Sequence, residues 1–171
     1  MKPSDILVDD PAPQRALITS RDELRAAVLV ALRVARRSVR VLHRDMSVFG
    51  FSAPECSEAL LHLLLGHRAA CVRLLVDDAT WLETRAPRLR LLQRRFPHAL
   101  ELRVASTGDP VGDDTVLLAD DHAVLELKPT PAPAGDLWLH HRPHAQTRLS
   151  SFERRWEAGG HNLPVAPLGL G

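Results

Sequence analysis

Two groups of polar side chains directly follow predicted β-strands, and they are the first candidates for chemistry. His43, Arg44 and Asp45 come after one β-rich run, and Asp77 and Asp78 come after another. In an open α/β sheet, ligands bind beyond the carboxyl ends of the strands, so one interpretation is a polar pocket with His43 as a base or metal ligand. The other is structural, because aspartates in this position cap the following helix, and we favour it.

Histidines near the C-terminus form the densest cluster, with His140, His141 and His144 close together in sequence. Imidazole is a common ligand of transition metals. On a strand, however, His140 and His141 point to opposite faces, so one ion cannot easily use both. No cysteine or acidic residue stands at a supporting spacing, and we expect these histidines to be structural or exposed. The sequence predicts no metal ion and no cofactor.

Arginines form a third group, on two predicted helices. They are Arg85, Arg88, Arg90, Arg94 and Arg95 on one helix, and Arg21, Arg25, Arg33, Arg36 and Arg37 on the other. Basic faces of this kind bind phosphate backbones, and Arg85, Arg88, Arg94 and Arg95 are the candidate contacts to phosphate or nucleic acid. Aromatic residues make up only 4% of the chain, which leaves few surfaces for stacking bases. We favour the alternative that these arginines solvate exposed helix faces.

Sequence motifs of other enzyme classes are missing. The chain contains no G-x-x-x-x-G-K phosphate loop and no G-x-S-x-G nucleophile elbow. Neither Cys56 nor Cys71 has the context of a catalytic nucleophile. The two cysteines fit a reducing cytosol as core residues and not as a disulfide.

Length and composition limit the class of protein. With 171 residues, of which 45% are hydrophobic and 25% charged, the chain has the balance of one globular domain. A formal charge of +1 argues against a surface built as a whole for nucleic acid or an anionic membrane. An apolar run of about 18 residues is missing, and so is a signal peptide. We expect a cytoplasmic protein without membrane insertion, and the excess of arginine over lysine is typical of high-GC bacterial genomes.

Hydrophobic periodicity predicts an α/β fold. Strands and helices first alternate, with strands over residues 15–19, 38–43, 71–76 and 100–104, and helices over residues 21–37, 55–67 and 80–96, the last restarting at Pro87. This alternation predicts parallel strands joined by right-handed crossovers. The predicted architecture is therefore a mixed, mostly parallel sheet flanked by helices.

The second part of the chain breaks the alternation. Strands over residues 114–119 and 122–128 flank a polar turn and predict a β-hairpin. A proline-rich loop, a strand over residues 137–141 and a C-terminal helix over residues 146–158 follow. We expect an irregular N-terminal arm over residues 1–14, one domain over residues 15–158 and a loose tail over residues 159–171.

The order of these elements resembles one half of a phospholipase D-like protein. The late hairpin with aspartate in its turn and the terminal helix with Phe152 and Trp156 carry the resemblance, which covers residues 15–156. Members of that superfamily carry a His-x-Lys-x-x-x-x-Asp motif on this hairpin. Their histidine is the nucleophile on a phosphodiester and their lysine holds the phosphate. Two half-domains meet to complete one site, so the resemblance implies a homodimer.

The motif aligns with the hairpin turn in two registers. The positions of the motif histidine and lysine are Asp113 and Thr115 if Asp120 is the motif aspartate, and Asp114 and Val116 if Asp121 is. Neither register supplies the histidine or the lysine. A carboxylate in place of the nucleophile, without the cation, would repel a phosphate group instead of attracting it.

The sequence therefore predicts a catalytically inactive phospholipase D-like domain that acts as a binding or interaction module. One alternative is a phosphodiesterase with an altered site, for which the candidate pocket residues are His43, Asp45, Asp77, Asp114 and His122. A second alternative is a nucleic-acid-binding accessory protein that uses the arginine-rich helices. The expected partners are a second copy of the chain and, more weakly, a phosphate-bearing ligand or nucleic acid.

Overall fold

A computed structural model describes residues 1–165, and an eight-stranded sheet organises them. The strands are β1 (Gln14–Ile18), β2 (Ser38–Leu42), β3 (Cys71–Val76), β4 (Leu100–Val104), β5 (Thr115–Ala119), β6 (Ala123–Leu127), β7 (Gly135–Leu139) and β8 (His161–Asn162). The helices are α1 (Arg21–Val34), α2 (Pro54–Gly66), α3 (Thr80–Arg85), α4 (Pro87–Arg95) and α5 (Arg142–Glu157). Within this part of the chain, no helix is long and apolar enough to span a membrane.

The spatial order of the strands is β1-β7-β6-β5-β2-β3-β4-β8. Only the pairs β2–β3 and β3–β4 are parallel, whereas β1–β7, β7–β6, β6–β5, β5–β2 and β4–β8 are antiparallel. The fold is α/β with a mixed sheet, but the expectation of a mostly parallel sheet was wrong in this detail. The reason is that β1 runs in the direction of β2 and yet lies at the far edge, with three later strands inserted between them.

Helix boundaries follow local capping and proline signals. The Ser20 side chain accepts a hydrogen bond from the backbone N–H of Glu23, and the Glu23 carboxylate accepts bonds from the backbone and hydroxyl of Thr19. This arrangement is a capping box displaced by one residue, and it begins α1. Pro87 occupies the first turn of α4, which separates α4 from α3 as the sequence predicted.

The two faces of the sheet are covered unequally. Helices α1, α2 and α4 pack on one face and bury a large apolar core. On the other face, α5 buries Phe152 and Trp156 against a smaller cluster. Arg103 and Arg73 lie over the Trp156 ring at 4.1 and 5.2 Å, so cation–π contacts supplement this thinner layer.

Two segments differ from the sequence-based expectation. The tail after α5 forms β8, and the Leu163 N–H donates to the Leu102 carbonyl at 2.7 Å, so residues 159–165 pack on the sheet edge instead of being loose. Residues 166–171 lie outside the described part. Helix α5 begins at Arg142, four residues before the predicted start, because the His141 side chain accepts a hydrogen bond from the His144 N–H and caps it.

Candidate functional site

A cleft of about 360 Å³ opens at the carboxyl end of β2, where β5 begins. Its walls come from α1, the loop after β2, the start of β5 and the proline-rich loop over residues 129–134. The residues that line it include Leu24, His43, Arg44, Val48, Asp113, Thr115, Lys128, Pro131 and Pro133. The position agrees with the general rule that ligands bind beyond the carboxyl ends of strands.

His43 is a buried polar residue of this cleft, as is Thr115. The Nδ1 of His43 accepts hydrogen bonds from the backbone N–H groups of Asp45 at 3.1 Å and Met46 at 2.8 Å. A nitrogen that accepts carries no proton, so the proton of the neutral ring sits on Nε2. Burial lowers the pKa of His43 and keeps the ring neutral. The imidazole is therefore a hydrogen-bond donor, and in this tautomer neither nitrogen offers the free lone pair that a base or nucleophile needs.

The carboxylates of Asp45 and Asp77 contact neighbouring groups of the protein, and Asp45 Oδ1 lies 3.2 Å from His43 Nδ1. Asp45 accepts hydrogen bonds from the N–H and the hydroxyl of Ser47 at 3.0 and 2.7 Å. Asp77 accepts bonds from the N–H groups of Val111 and Gly112 at 2.7 and 2.8 Å, and so fixes the loop that leads into β5. Both residues lie near the cleft and act on its loops.

Asp78 precedes Ala79, which is the N-cap residue of α3, and it forms an Asx turn at the entrance of the helix. Its Oδ1 accepts a hydrogen bond at 2.9 Å from the N–H of Thr80, the first residue of α3. Neither aspartate is therefore the N-cap residue of α3: Asp78 shapes the turn before the helix, and Asp77 anchors a different segment.

Asp114 and His122 lie away from His43. The Asp114 side chain is on the α5 side of the sheet, 2.7 Å from Arg148 Nη2 and 3.4 Å from Arg155 Nη1. His122 follows the β5–β6 turn at the other end of β5, and its ring stacks on His140 at 5.1 Å. The five predicted pocket residues therefore do not converge, and His43, Asp45 and Asp77 share one end of the sheet.

Asp120 has a structural role in the turn between β5 and β6. Its carboxylate accepts hydrogen bonds from the backbone N–H groups of Arg36, Arg37 and Ser38 at 2.8–2.9 Å. Burial opposes ionisation of this group, but the His122 imidazole, whose Nε2 lies 3.7 Å from Asp120 Oδ2, and the bonds from these N–H groups outweigh it and lower the pKa to about 2. Asp120 thus ties the hairpin to the entrance of β2.

The structure separates the two registers of the phospholipase D-like motif. With Asp120 as the motif aspartate, the histidine and lysine positions are Asp113 and Thr115, and both line the cleft. In the other register, Asp114 is paired with α5 and Val116 is buried on the same side of the sheet. Only the first register puts both chemical positions in an open cleft.

Cations enter the cleft from positions outside the motif. Arg44 follows β2, and Lys128 follows β6. Asp113 is the acidic residue in the lining, and no ion pair joins any of these three side chains to another described residue. Lys128 was not among the predicted pocket residues, because the predicted strand over residues 122–128 includes it, whereas β6 ends at Leu127.

The four arginines predicted as phosphate contacts do not line the cleft. Arg88 donates to the Ser52 carbonyl at 3.0 Å, and the Arg95 guanidinium lies 5.2 Å from the Phe96 ring. Arg85 and Arg95 are exposed, and Arg94 is half-buried. They belong to α3 and α4, on the outer layer of the α1–α2–α4 face.

The C-terminal histidines are distributed over separate contacts. His141 caps α5, His140 stacks on His122, and His144 Nε2 lies 3.0 Å from Glu126 Oε1. Among residues 1–165, no three metal-binding side chains gather into a site.

Comparisons with known proteins connect this geometry to a fold. The sequence profile of a family described as "Domain of unknown function (DUF7931)" matches residues 20–164. No curated protein matches the sequence significantly. Nuc from Salmonella typhimurium, a phospholipase D family member, superposes with a TM-score of 0.66 at 20% identity, and the match covers 89% of this chain and 99% of Nuc.

Two further structures are similar. TrmBL2, an archaeal chromatin protein with its own mode of DNA binding, gives a TM-score of 0.62 at 13% identity over 86% of this chain and 53% of TrmBL2. NucT from Helicobacter pylori gives 0.57 at 13% identity over 86% of this chain and 98% of NucT. The chain has a phospholipase D-like fold, as its order of elements predicted.

Proposed function

Because the chain belongs to the family described as "Domain of unknown function (DUF7931)" and has a phospholipase D-like fold, we propose that it is a non-catalytic module that binds a phosphate-bearing ligand in the cleft at His43. The observation that carries the proposal is the state of His43, a neutral donor in a cleft that also holds Arg44 and Lys128. These groups suit recognition of an anion and lack the parts for its hydrolysis.

Three side chains of the cleft do not supply the groups that hydrolysis of a phosphodiester needs. Asp113 occupies the nucleophile position, and its carboxylate repels the charge of a phosphodiester. Thr115 occupies the lysine position, is largely buried and carries no charge. His43 holds its proton on Nε2, so it cannot attack phosphorus or accept a proton without a change of tautomer.

The charge and the hydrogen-bond donors of the cleft favour binding of a phosphate group. Arg44 and Lys128 contribute two positive charges against the single negative charge of Asp113. A guanidinium and an ammonium are both effective phosphate ligands, and the Nε2–H of a neutral imidazole adds a donor. The site therefore favours a phosphate ester held in place and not transformed.

Calorimetric titration with inorganic phosphate and with dimethyl phosphate tests the proposal. The wild-type protein should bind both, and the double variant Arg44→Ala/Lys128→Ala should lose most of the affinity because it loses both cations. Arg154→Ala, which removes an exposed arginine on α5, is the matched control and should bind like the wild type. Equal binding by all three proteins, or no binding by the wild type, contradicts the proposal.

Activity assays address the catalytic half of the proposal. A chromogenic phosphodiester incubated with the protein, with and without divalent metals, should show no turnover above buffer. Turnover that is lost in His43→Ala or His122→Ala would instead support the alternative of an altered phosphodiesterase site.

A second candidate function is DNA binding through α3 and α4. It is favoured by the similarity to TrmBL2 and by Arg85 and Arg94, which have no ion-pair partner among residues 1–165. This candidate predicts DNA binding that weakens steeply with salt and is reduced in Arg85→Ala/Arg94→Ala. Binding that is absent or insensitive to salt excludes it.

The proposal also includes a homodimer in the cytoplasm. The dimer is supported by the similarity to Nuc over 99% of the Nuc chain together with the pairing of half-domains in the resembled superfamily. The location is supported by Cys56 and Cys71, which are both free thiols. Sedimentation analysis at micromolar concentration should give twice the monomer mass, and a monomer would contradict this part.

A further inference from the structure

A second basic cleft adjoins the first. It has a volume of about 350 Å³ and lies between the start of α1 and the loop after β2. Arg21 and Arg25, one helical turn apart on α1, supply its charge, and no aspartate or glutamate is among its lining residues. Both arginines are exposed, and neither forms an ion pair within the described part of the chain.

Apolar side chains separate the two basic clefts. Leu24, Val48, Pro131 and Pro133 line both of them, so the clefts are two parts of one groove. Val48 is 42% exposed and contributes to the lining of both clefts. The groove thus has Arg44 and Lys128 on one side of an apolar waist and the α1 arginines on the other.

We propose that the ligand carries two anionic groups joined by an apolar segment, with one anion at Arg44 and Lys128 and the other at Arg21 and Arg25. This inference rests on the proposed function, because the first anion is the phosphate group bound at His43. The apolar segment lies over Val48 and the prolines. Sugar and base between two nucleotide phosphates, and an alkyl chain between two phosphate groups, share this chemistry.

Two short ligand pairs test the inference and distinguish these sources. The first pair is a thymidine dinucleotide with a terminal phosphate against thymidine monophosphate. The second pair is a hexane diol phosphorylated at both ends against hexyl phosphate. In at least one pair, the ligand with two phosphates should bind the wild-type protein about tenfold more tightly than its partner with one, because the second group binds at high effective concentration.

Variants of α1 locate the second anion. Arg21→Ala/Arg25→Ala should reduce the affinity for the two-phosphate ligand to that of its one-phosphate partner, while the affinity for inorganic phosphate stays unchanged. Arg33→Ala, an exposed arginine on the same helix outside both clefts, is the control and should bind all ligands like the wild type. Equal melting temperatures verify that the variants remain folded.

The outcomes separate this inference from the proposed function. If inorganic phosphate binds but both two-phosphate ligands gain nothing, the groove has one anion site and the inference is overturned while the proposed function stands. An advantage that survives in Arg21→Ala/Arg25→Ala also overturns it. If the wild type binds no phosphate at all, both fail together.

Discussion

The two ends of β5 differ in how far their residues agree with the phospholipase D-like motif. At the β5–β6 turn, Asp120 occupies the aspartate position and holds three backbone N–H groups at the entrance of β2. At the start of β5, Asp113 and Thr115 stand at the positions that the motif, aligned with Asp120, would give to the histidine and the lysine. In this alignment the aspartate position holds Asp120, which has a structural role. The histidine and lysine positions hold Asp113 and Thr115.

Holding the backbone at the turn and contacting a ligand in the cleft are therefore physically separable roles. Asp120 acts on the fold, because its hydrogen bonds hold a neighbouring segment of the backbone in place. The Asp113 side chain is exposed and forms no hydrogen bond in the described structure. Any role of its carboxylate is therefore a contact with a ligand. Variants at the two ends therefore test whether the turn has a structural role and the cleft a ligand-binding role.

The largest expected effect is on folding stability at the turn. Asp120→Ala should lower the free energy of unfolding by about 3 kcal/mol, because three backbone N–H groups lose a charged acceptor. Ala is also unfavourable at the positive φ of 52° that Asp120 adopts. Asp113→Ala at the other end should change stability by less than about 0.5 kcal/mol. Urea denaturation of both variants checks this, and similar losses at the two ends would remove the distinction.

The next largest effect is the loss of folding stability at acidic pH that Asp120 in the β5–β6 turn should cause. The pKa of Asp120 is lowered to about 2 in the folded protein, from the ordinary aspartate value of 3.8. A carboxyl with a depressed folded pKa stabilises above its unfolded pKa, and this contribution of about 2 kcal/mol is lost as pH falls from 3.8 towards 2. Asp120→Asn lacks the titrating group. The stability gap between wild type and Asp120→Asn should therefore narrow over that range, and a constant gap would contradict the assigned role.

Sequence reasoning located most elements because their signals are local. The capping residues before α1, Pro87 in the first turn of α4 and the polar turn between β5 and β6 are each contained within a few neighbouring residues. The order of the strands is a different kind of information. Nothing near residues 15–19 indicates that β1 pairs with β7 and not with β2, so the mostly parallel sheet was a wrong extrapolation from correct strand directions.

The site was predictable only in part, for the same reason. His43 was found because it follows a strand, which is a local signal. Asp114 was grouped with it because a single residue decides which face of a strand a side chain takes, and Asp113 is the neighbour that faces the cleft. Lys128 was missed because its approach to the cleft depends on the register of β5 and β6 and on the path of the proline-rich loop.

A third prediction concerns the histidines at the two ends. His43→Phe should reduce affinity for dimethyl phosphate about tenfold, because the Nε2–H donor is lost, and should cost about 2 kcal/mol of stability, because the N–H groups of Asp45 and Met46 lose their acceptor. His122→Phe is the matched change at the turn and should leave the affinity unchanged. Titration calorimetry of both variants distinguishes the ends, and a larger loss of affinity in His122→Phe would reverse the assignment.

The smallest expected effect is a gain at the start of β5. Asp113→Asn removes the one carboxylate of the cleft while keeping its size, so the repulsion between that carboxylate and a bound phosphate disappears. At distances of several ångströms in a solvated cleft this is worth about 0.6 kcal/mol, or about threefold in affinity for dimethyl phosphate. Asp109→Asn, an exposed aspartate outside the lining, serves as the control for a general change of charge. Because Asp113 replaces a nucleophile in the motif register, a gain of binding on its removal, without any turnover, is the result expected of a site that holds phosphate and does no chemistry on it. A loss of affinity would mean that Asp113 itself contacts the ligand as an acceptor, and the ligand would then have to present a hydrogen-bond donor beside its phosphate.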